Sequence, residues 1–198
     1  MPPRETAIET SVRPSGRRRD PEVDRRIRNA SIEGLAAEGF SGLTIDKICV
    51  RAGVPRATFY RRWDSLYAAV ADAFHEAFLF KDLAESEAPL DDIVAFFLEM
   101  VALYNAPVIG PCMGLIVQEA RLRPELEKLT TAHFVARRAR NRAYVASALA
   151  RLGRPDAVDP DLLVDVLSGL AMNTMATGRK VSRRDAELVV RRLIGLPG

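Results

Sequence analysis

Three arginines, a threonine and a tyrosine crowd the stretch AGVPRATFYRRW, Ala52 to Trp63. All five side chains carry hydrogen-bond donors. A guanidinium bonds two acceptors on a guanine edge at once, which discriminates against other bases by about 1–3 kcal/mol. Threonine and tyrosine hydroxyls bond phosphate or base. The apolar side chains in the stretch are few. Val54, Phe59 and Trp63 are spaced by four or five, which suits anchors packed on Ile27, Leu35, Phe40 and Ile48. A segment with so many donors and so little apolar surface needs a partner outside the chain, and its charge favours a polyanion.

The elements that must hold these side chains follow from the punctuation around them. Asp20 and Pro21 form a helix start, and the apolar positions Val23, Ile27, Ala30 and Leu35 predict a first helix over about 22–38, stopped at Gly39. Thr44 caps a second helix that buries Ile45, Ile48 and Cys49. Gly53 ends it and Pro55 opens a third. Helix, tight glycine turn and helix over 44–62 have helix-turn-helix spacing. In that motif the second helix enters the major groove with its N-terminal residues on base edges. Arg56 stands there, with Ala57 small enough for close approach or for a thymine methyl. Thr58 and Tyr60 offer hydroxyls, Thr44 with its helix N-terminus offers a backbone phosphate clamp, one of Arg61 and Arg62 is expected to meet phosphate, and Arg62 is a candidate to reach a base. Tyr60 also has a structural reading, since its ring is amphipathic.

Charge is distributed accordingly. The chain of 198 residues has a formal net charge of +3. Residues 1–63 hold 13 lysines and arginines against 8 acidic residues, whereas the rest hold 16 against 18. Residues 1–20, with Pro2, Pro3, Pro14 and Gly16 and almost nothing apolar, are expected to be a disordered arm. Arg17, Arg18 and Arg19 then have two readings: a solvated tail, or an arm laid in a narrow minor groove.

Beyond Trp63 apolar stripes of helical period predict helices to about 80, then over about 91–104, 113–121, 124–152, 161–177 and 183–194. No alternating run suggests a sheet, so the fold class is all-α. The uncharged stretch 100–118 has the length of a membrane span, but Pro107, Gly110, Pro111 and Gly114 interrupt it. A helix, a kinked loop from Asn105 to Pro111 and a second buried helix are expected instead, with no membrane contact. Cys49 and Cys112 lack paired spacing, and the N-terminus lacks a secretory core segment. Both point to a reducing compartment, the cytoplasm. Nucleophile elbow, P-loop and zinc-protease signatures are lacking, so no catalytic residue, metal or cofactor is expected. A helical lipid carrier that meets membrane phosphate is the competing class.

The stretch from Ile27 to Phe40, followed by LTIDKICVRAGVPRATFYRRWDS, resembles the DNA-binding domain of the TetR (tetracycline-repressor) family, whose core signature pairs A-G-V with T-F/L-Y and a following aromatic residue. After the basic arm over 1–20, the resemblance implies a helix-turn-helix domain over 21–66 and a ligand-binding and dimerisation domain over 67–198. It implies a double-stranded operator, a homodimer and a small-molecule effector. Members often carry lysine where Leu66 stands, and a large apolar residue where Gly34 stands. The closing segment resembles the family's last helix pair, which implies a dimer seam over Leu163, Leu167, Leu170, Val189 and Leu193, with Gly169 permitting close approach.

For the effector, Phe97, Met100, Tyr104, Met113, Phe134 and Met172 are candidates, beside the broken helix and the polar Asn105, Gln118, His133 and Asn173. Side chains of this kind at helical spacing also fit plain core. Sparse polar groups among apolar ones suit a pocket for an apolar or aromatic molecule.

Overall fold

Local chemistry sets most helix ends in the computed structural model, which describes residues 20–78 and 84–197. Its order is α1 Pro21–Gly42, α2 Ile45–Ala52, α3 Arg56–Tyr60, α4 Leu66–Ala77, α5 Pro89–Tyr104, α6 Ile109–Ala120, α7 Pro124–Arg151, α8 Pro160–Thr177 and α9 Arg183–Leu193. The chain is all-α, and no strand occurs among the described residues. Asp20 caps α1 by accepting from the Glu22 amide at 3.0 Å. Thr44 caps α2 through the Lys47 amide, Ser65 caps α4, and Ser182 with Asp185 forms a capping box on α9. Gly53 closes α2 at φ 63°, a left-handed conformation that glycine adopts without Cβ strain.

Two boundaries differ from expectation. Gly39 bends α1 at φ 65° instead of ending it, and one further turn runs to Gly42, where the Leu43 amide returns to the Gly39 carbonyl at 3.1 Å. The break after α5 spans only 105–108, because Gly110 and Pro111 lie in the first turn of α6, where proline has no intrahelical bond to lose. A Cβ on Gly110 would stand 2.3 Å from the Tyr104 carbonyl oxygen, so the tight return of the chain requires glycine there. No single helix among the described residues is long and apolar enough to cross a membrane, and α5 and α6, which pass that test together, are bent by 78° at their break.

One continuous apolar core runs from Ile27 to Ile194. In the N-terminal part α1 packs on α2 and α4. In the C-terminal part α5 is the axis: Ile93, Phe96, Phe97 and Met100 are buried on it while α6, α7, α8 and α9 surround it. The helix α4 belongs to both parts, packing on α1 and also on α6 and α7.

Candidate nucleic-acid interface

The helix α3 has five residues and one buried side chain, Phe59. A helix so short is not stable alone. Phe59 holds it in place, with its ring 5.9 Å from that of Trp63. Everything else on α3 turns outward: Arg56, Ala57 and Tyr60 are exposed, as is Arg61 just after it, and Thr58 is half-exposed. Tyr60 is 45 % exposed, and its ring edge packs on Phe59 at 5.6 Å. The guanidinium of Arg56 donates to the Tyr60 hydroxyl at 3.3 Å and pairs with Asp46 on α2 at 3.0 Å. The Tyr60 bond and the Asp46 charge hold Arg56 above the ordinary arginine range, firmly cationic. Arg61 donates to the Thr58 hydroxyl at 3.1 Å. Thr44 is exposed at the start of α2, where unpaired amides favour an anion.

Arg62 does not share this face. Its side chain is 9 % exposed, ion-paired with Asp24 of α1, and it donates to the Thr58 carbonyl at 3.1 Å. The expectation that Arg62 reaches a base is corrected: a guanidinium buried in this way fastens the end of α3 to α1. Next to it, Trp63 donates its indole N–H to Asp72 of α4 at 3.0 Å, and the same carboxylate oxygen accepts from Arg28 of α1 at 2.8 Å. Asp72 thus joins α4 to the chain that leaves α3. Asp24, Asp46 and Asp72 were not singled out from sequence: nothing local marks them, and Arg62, the partner of Asp24, and Arg28, a partner of Asp72, lie 38 and 44 positions away. Arg17, Arg18 and Arg19 lie outside the described residues.

Gly34 has a physical explanation. A Cβ there would stand 2.5 Å from the Arg51 guanidinium and 2.6 Å from a methyl of Leu43, so α2 and its approach close directly over α1. Arg51 and Lys47 are held there by Glu38, whose carboxyl their hydrogen bonds lower below the usual range. Leu66 opens α4 and packs against the core.

Residues 27–67 match the profile of bacterial regulatory proteins of the tetR family, and residues 83–193 match that of the tetracyclin repressor-like C-terminal domain. The chain belongs to the TetR family of transcriptional regulators. It is 24% identical over 170 residues to the uncharacterised HTH-type transcriptional regulator YdeS of Bacillus subtilis strain 168, covering 84% of this chain and 85% of that protein. Its fold is similar to that of a proposed transcriptional regulator of Pseudomonas aeruginosa PAO1, with TM-score 0.70 and 19% identity over 90% of this chain and 91% of the other. It is also similar to the transcriptional regulator FadR of Bacillus subtilis, solved in complex with stearoyl-CoA, with TM-score 0.63 and 14% identity over 86% and 95% of the two chains.

In this TetR-family chain the expected effector residues are not gathered in one place. Phe97 and Met100 are buried in the core along α5. Tyr104 and Phe134 border a cleft of about 230 Å³ with Arg137, Asn141, Val164 and Ser168. Met113 and Met172 border a second, of about 290 Å³, with Val117, Gln118, Arg121 and Met175. The polar groups expected beside a pocket are partly spent on structure: Asn105 donates to the Val101 carbonyl and to the Thr174 hydroxyl. His133 instead stacks on His75 of α4, ring centroids 4.2 Å apart, and the Nε2 atoms of both are buried without a hydrogen-bond partner. Burial, then the neighbouring His75, Arg137 and Arg140, pushes His133 down to about 4, and burial also lowers His75 against the opposing pull of Asp72 and the Leu129 carbonyl.

The expected dimer seam is corrected in part. Leu163 and Leu167 are fully buried inside the subunit. On α8 they share the inner face with Val164, Ala171 and Thr174, a helical spacing that turns Leu162, Gly169 and Leu170 outward. Val189 and Leu193 on α9 are half-buried, and Leu188 is exposed.

Proposed function

We propose that this TetR-family regulator is a cytoplasmic repressor that binds an operator as a homodimer and leaves it when an apolar or aromatic effector occupies the C-terminal part. The observation that carries the DNA reading is α3 itself: a helix with a single buried anchor, Phe59, and outward-facing Arg56, Ala57, Tyr60 and a following Arg61. Arg56 reads a base edge. Thr58 and Arg61 meet phosphate or base, Thr44 clamps phosphate, and Leu66 brings no charge to the backbone. Arg17, Arg18 and Arg19 extend the interface as a minor-groove arm.

A dimer supplies two reading heads for two half-sites. Its seam lies on the outer faces of α8 and α9, where Leu162, Leu170 and Leu188 are exposed and Gly169 admits close approach. The effector reading is supported by the two clefts in the C-terminal part and by FadR, a similar fold that holds stearoyl-CoA. An effector that prefers one spacing of the heads weakens operator binding by its differential affinity, typically about 1–3 kcal/mol.

The test is retention of genomic fragments flanking the gene against random competitor DNA at two salt concentrations. One fragment should be retained, and Arg56→Ala should release it while Tyr60→Phe weakens it less. Uniform retention that vanishes with salt would leave only charge and overturn the regulator reading. Deleting residues 1–19 should flatten the salt dependence. Leu170→Glu should shift the protein to monomer in sedimentation while leaving its helical content intact.

A further inference from the structure

The cleft between α5, α7 and α8 has a chemistry that its apolar neighbours do not. Phe134, Arg137 and Asn141 recur at helical spacing on one face of α7, and Val164 and Ser168 face them from α8 one turn apart. Tyr104 closes the end from α5. Arg137 and Asn141 are each only 7 % exposed, far below the norm for these residue types. The guanidinium lies over the rings of Phe78 and Tyr104, at 5.3 and 5.9 Å from their centroids. Ring faces attract a cation more strongly when it is desolvated. At the rim, Arg138 pairs with Asp165 and with Asp161, and Arg142 also pairs with Asp161, so two cations face the two carboxylates.

We propose that this cleft binds a small aromatic carboxylate, whose carboxylate bonds Arg137 and the Asn141 amide while its ring lies between Tyr104 and Phe134. This rests on the reading of the C-terminal part as effector-binding and narrows its ligand class. A guanidinium fork matches a carboxylate in a bidentate pair, and a buried amide donor adds selectivity for an anion. At about 230 Å³ the cleft is smaller than the roughly 300–1,000 Å³ of drug-sized sites, so it suits one ring and a short acidic arm. The site is also placed to act on the head. Arg137 is one helical turn from His133, which stacks on His75, and α4 carries Asp72, the acceptor of the Trp63 indole N–H. A ligand that shifts α7 at Arg137 moves the stack that meets α4.

The experiment is calorimetric titration of the full chain with benzoate, phenylacetate and 3-phenylpropionate, each against its neutral amide. The carboxylates should bind, and each amide should bind roughly tenfold or more weakly, because the amide cannot form a charged pair. Asn141→Leu should weaken carboxylate binding by a similar factor, and Ser168→Phe, which fills the cleft from its half-buried edge, should abolish it. Both variants are compared with the parent by thermal unfolding, which separates lost binding from lost fold. Absence of binding by all three acids, equal binding of acids and amides, or binding untouched by both folded variants would each overturn the proposal. Carboxylate binding that obeys the variants but does not release the retained DNA fragment would support the cleft's ligand class and overturn effector release.

Discussion

The N-terminal head and the C-terminal body divide their side chains in different ways. In the head, α3 keeps one residue for packing and turns the rest outward, so packing and exposed hydrogen-bond donors fall on different residues. In the body the same residue types must serve core, cleft and outer face together. Met100 is buried in the core, Met113 borders a cleft, and Met172 is 43 % exposed. A binding surface made of polar residues on a small scaffold therefore declares itself by type. One made of apolar residues in a helix bundle is visible only after packing has used what it needs.

The sharpest way to break this comparison is Phe59→Ala. Truncating the only buried side chain of α3 should cost about 3–5 kcal/mol, read as a lowered urea midpoint with Trp63 fluorescence as the probe. Arg56→Ala, on the exposed face, should stay within about 0.5 kcal/mol of the parent while DNA retention is lost. Comparable midpoints for the two variants would show that the head does not separate packing from recognition.

In the body, Leu163→Ala should cost about 2–5 kcal/mol because the side chain is fully buried in the subunit. Leu170→Ala, 38 % exposed, should leave the midpoint nearly unchanged at low protein concentration and weaken association. Reversed results would return Leu163 to the seam. Gly34→Ala should cost about 1–3 kcal/mol by overpacking, since the added methyl meets Arg51 and Leu43. A neutral result would mean that both long side chains give way.

The smallest effect is the pH response of the stacked histidines, which join body to head. His133 lies near 4 in the fold and near its ordinary 6.5 when unfolded. The unfolded chain therefore binds the proton first as pH falls from about 6.5 to about 4, and stability falls across that window. Groups facing the pair are Asp72 on α4 and Arg137 and Arg140 on α7. The urea midpoint of the parent should drop more between pH 7 and 4.5 than that of His133→Phe, and parallel slopes would exclude the pair as the cause.

Most of the head was legible without coordinates because its signals are local. Asp20, Thr44 and Gly53 act on amides or carbonyls within a few positions, and the turn between α2 and α3 needs only Gly53. Arg62 was not legible, for its partner Asp24 lies 38 positions away and nothing in RRW distinguishes it from Arg61. Nor were the two clefts, because Tyr104 and Phe134 meet only when α5 and α7 pack.

By itself, then, the sequence determined the all-α class, the capped helices, the helix-turn-helix and the outward donors of α3, since each rests on periodicity or on bonds within one turn. Tertiary structure decided which arginine faces outward and which fastens α3, which leucines of α8 are core and which are surface, and where a buried cation meets two rings. Those outcomes depend on neighbours distant in the chain, and helical period alone cannot say which element will cover a given face.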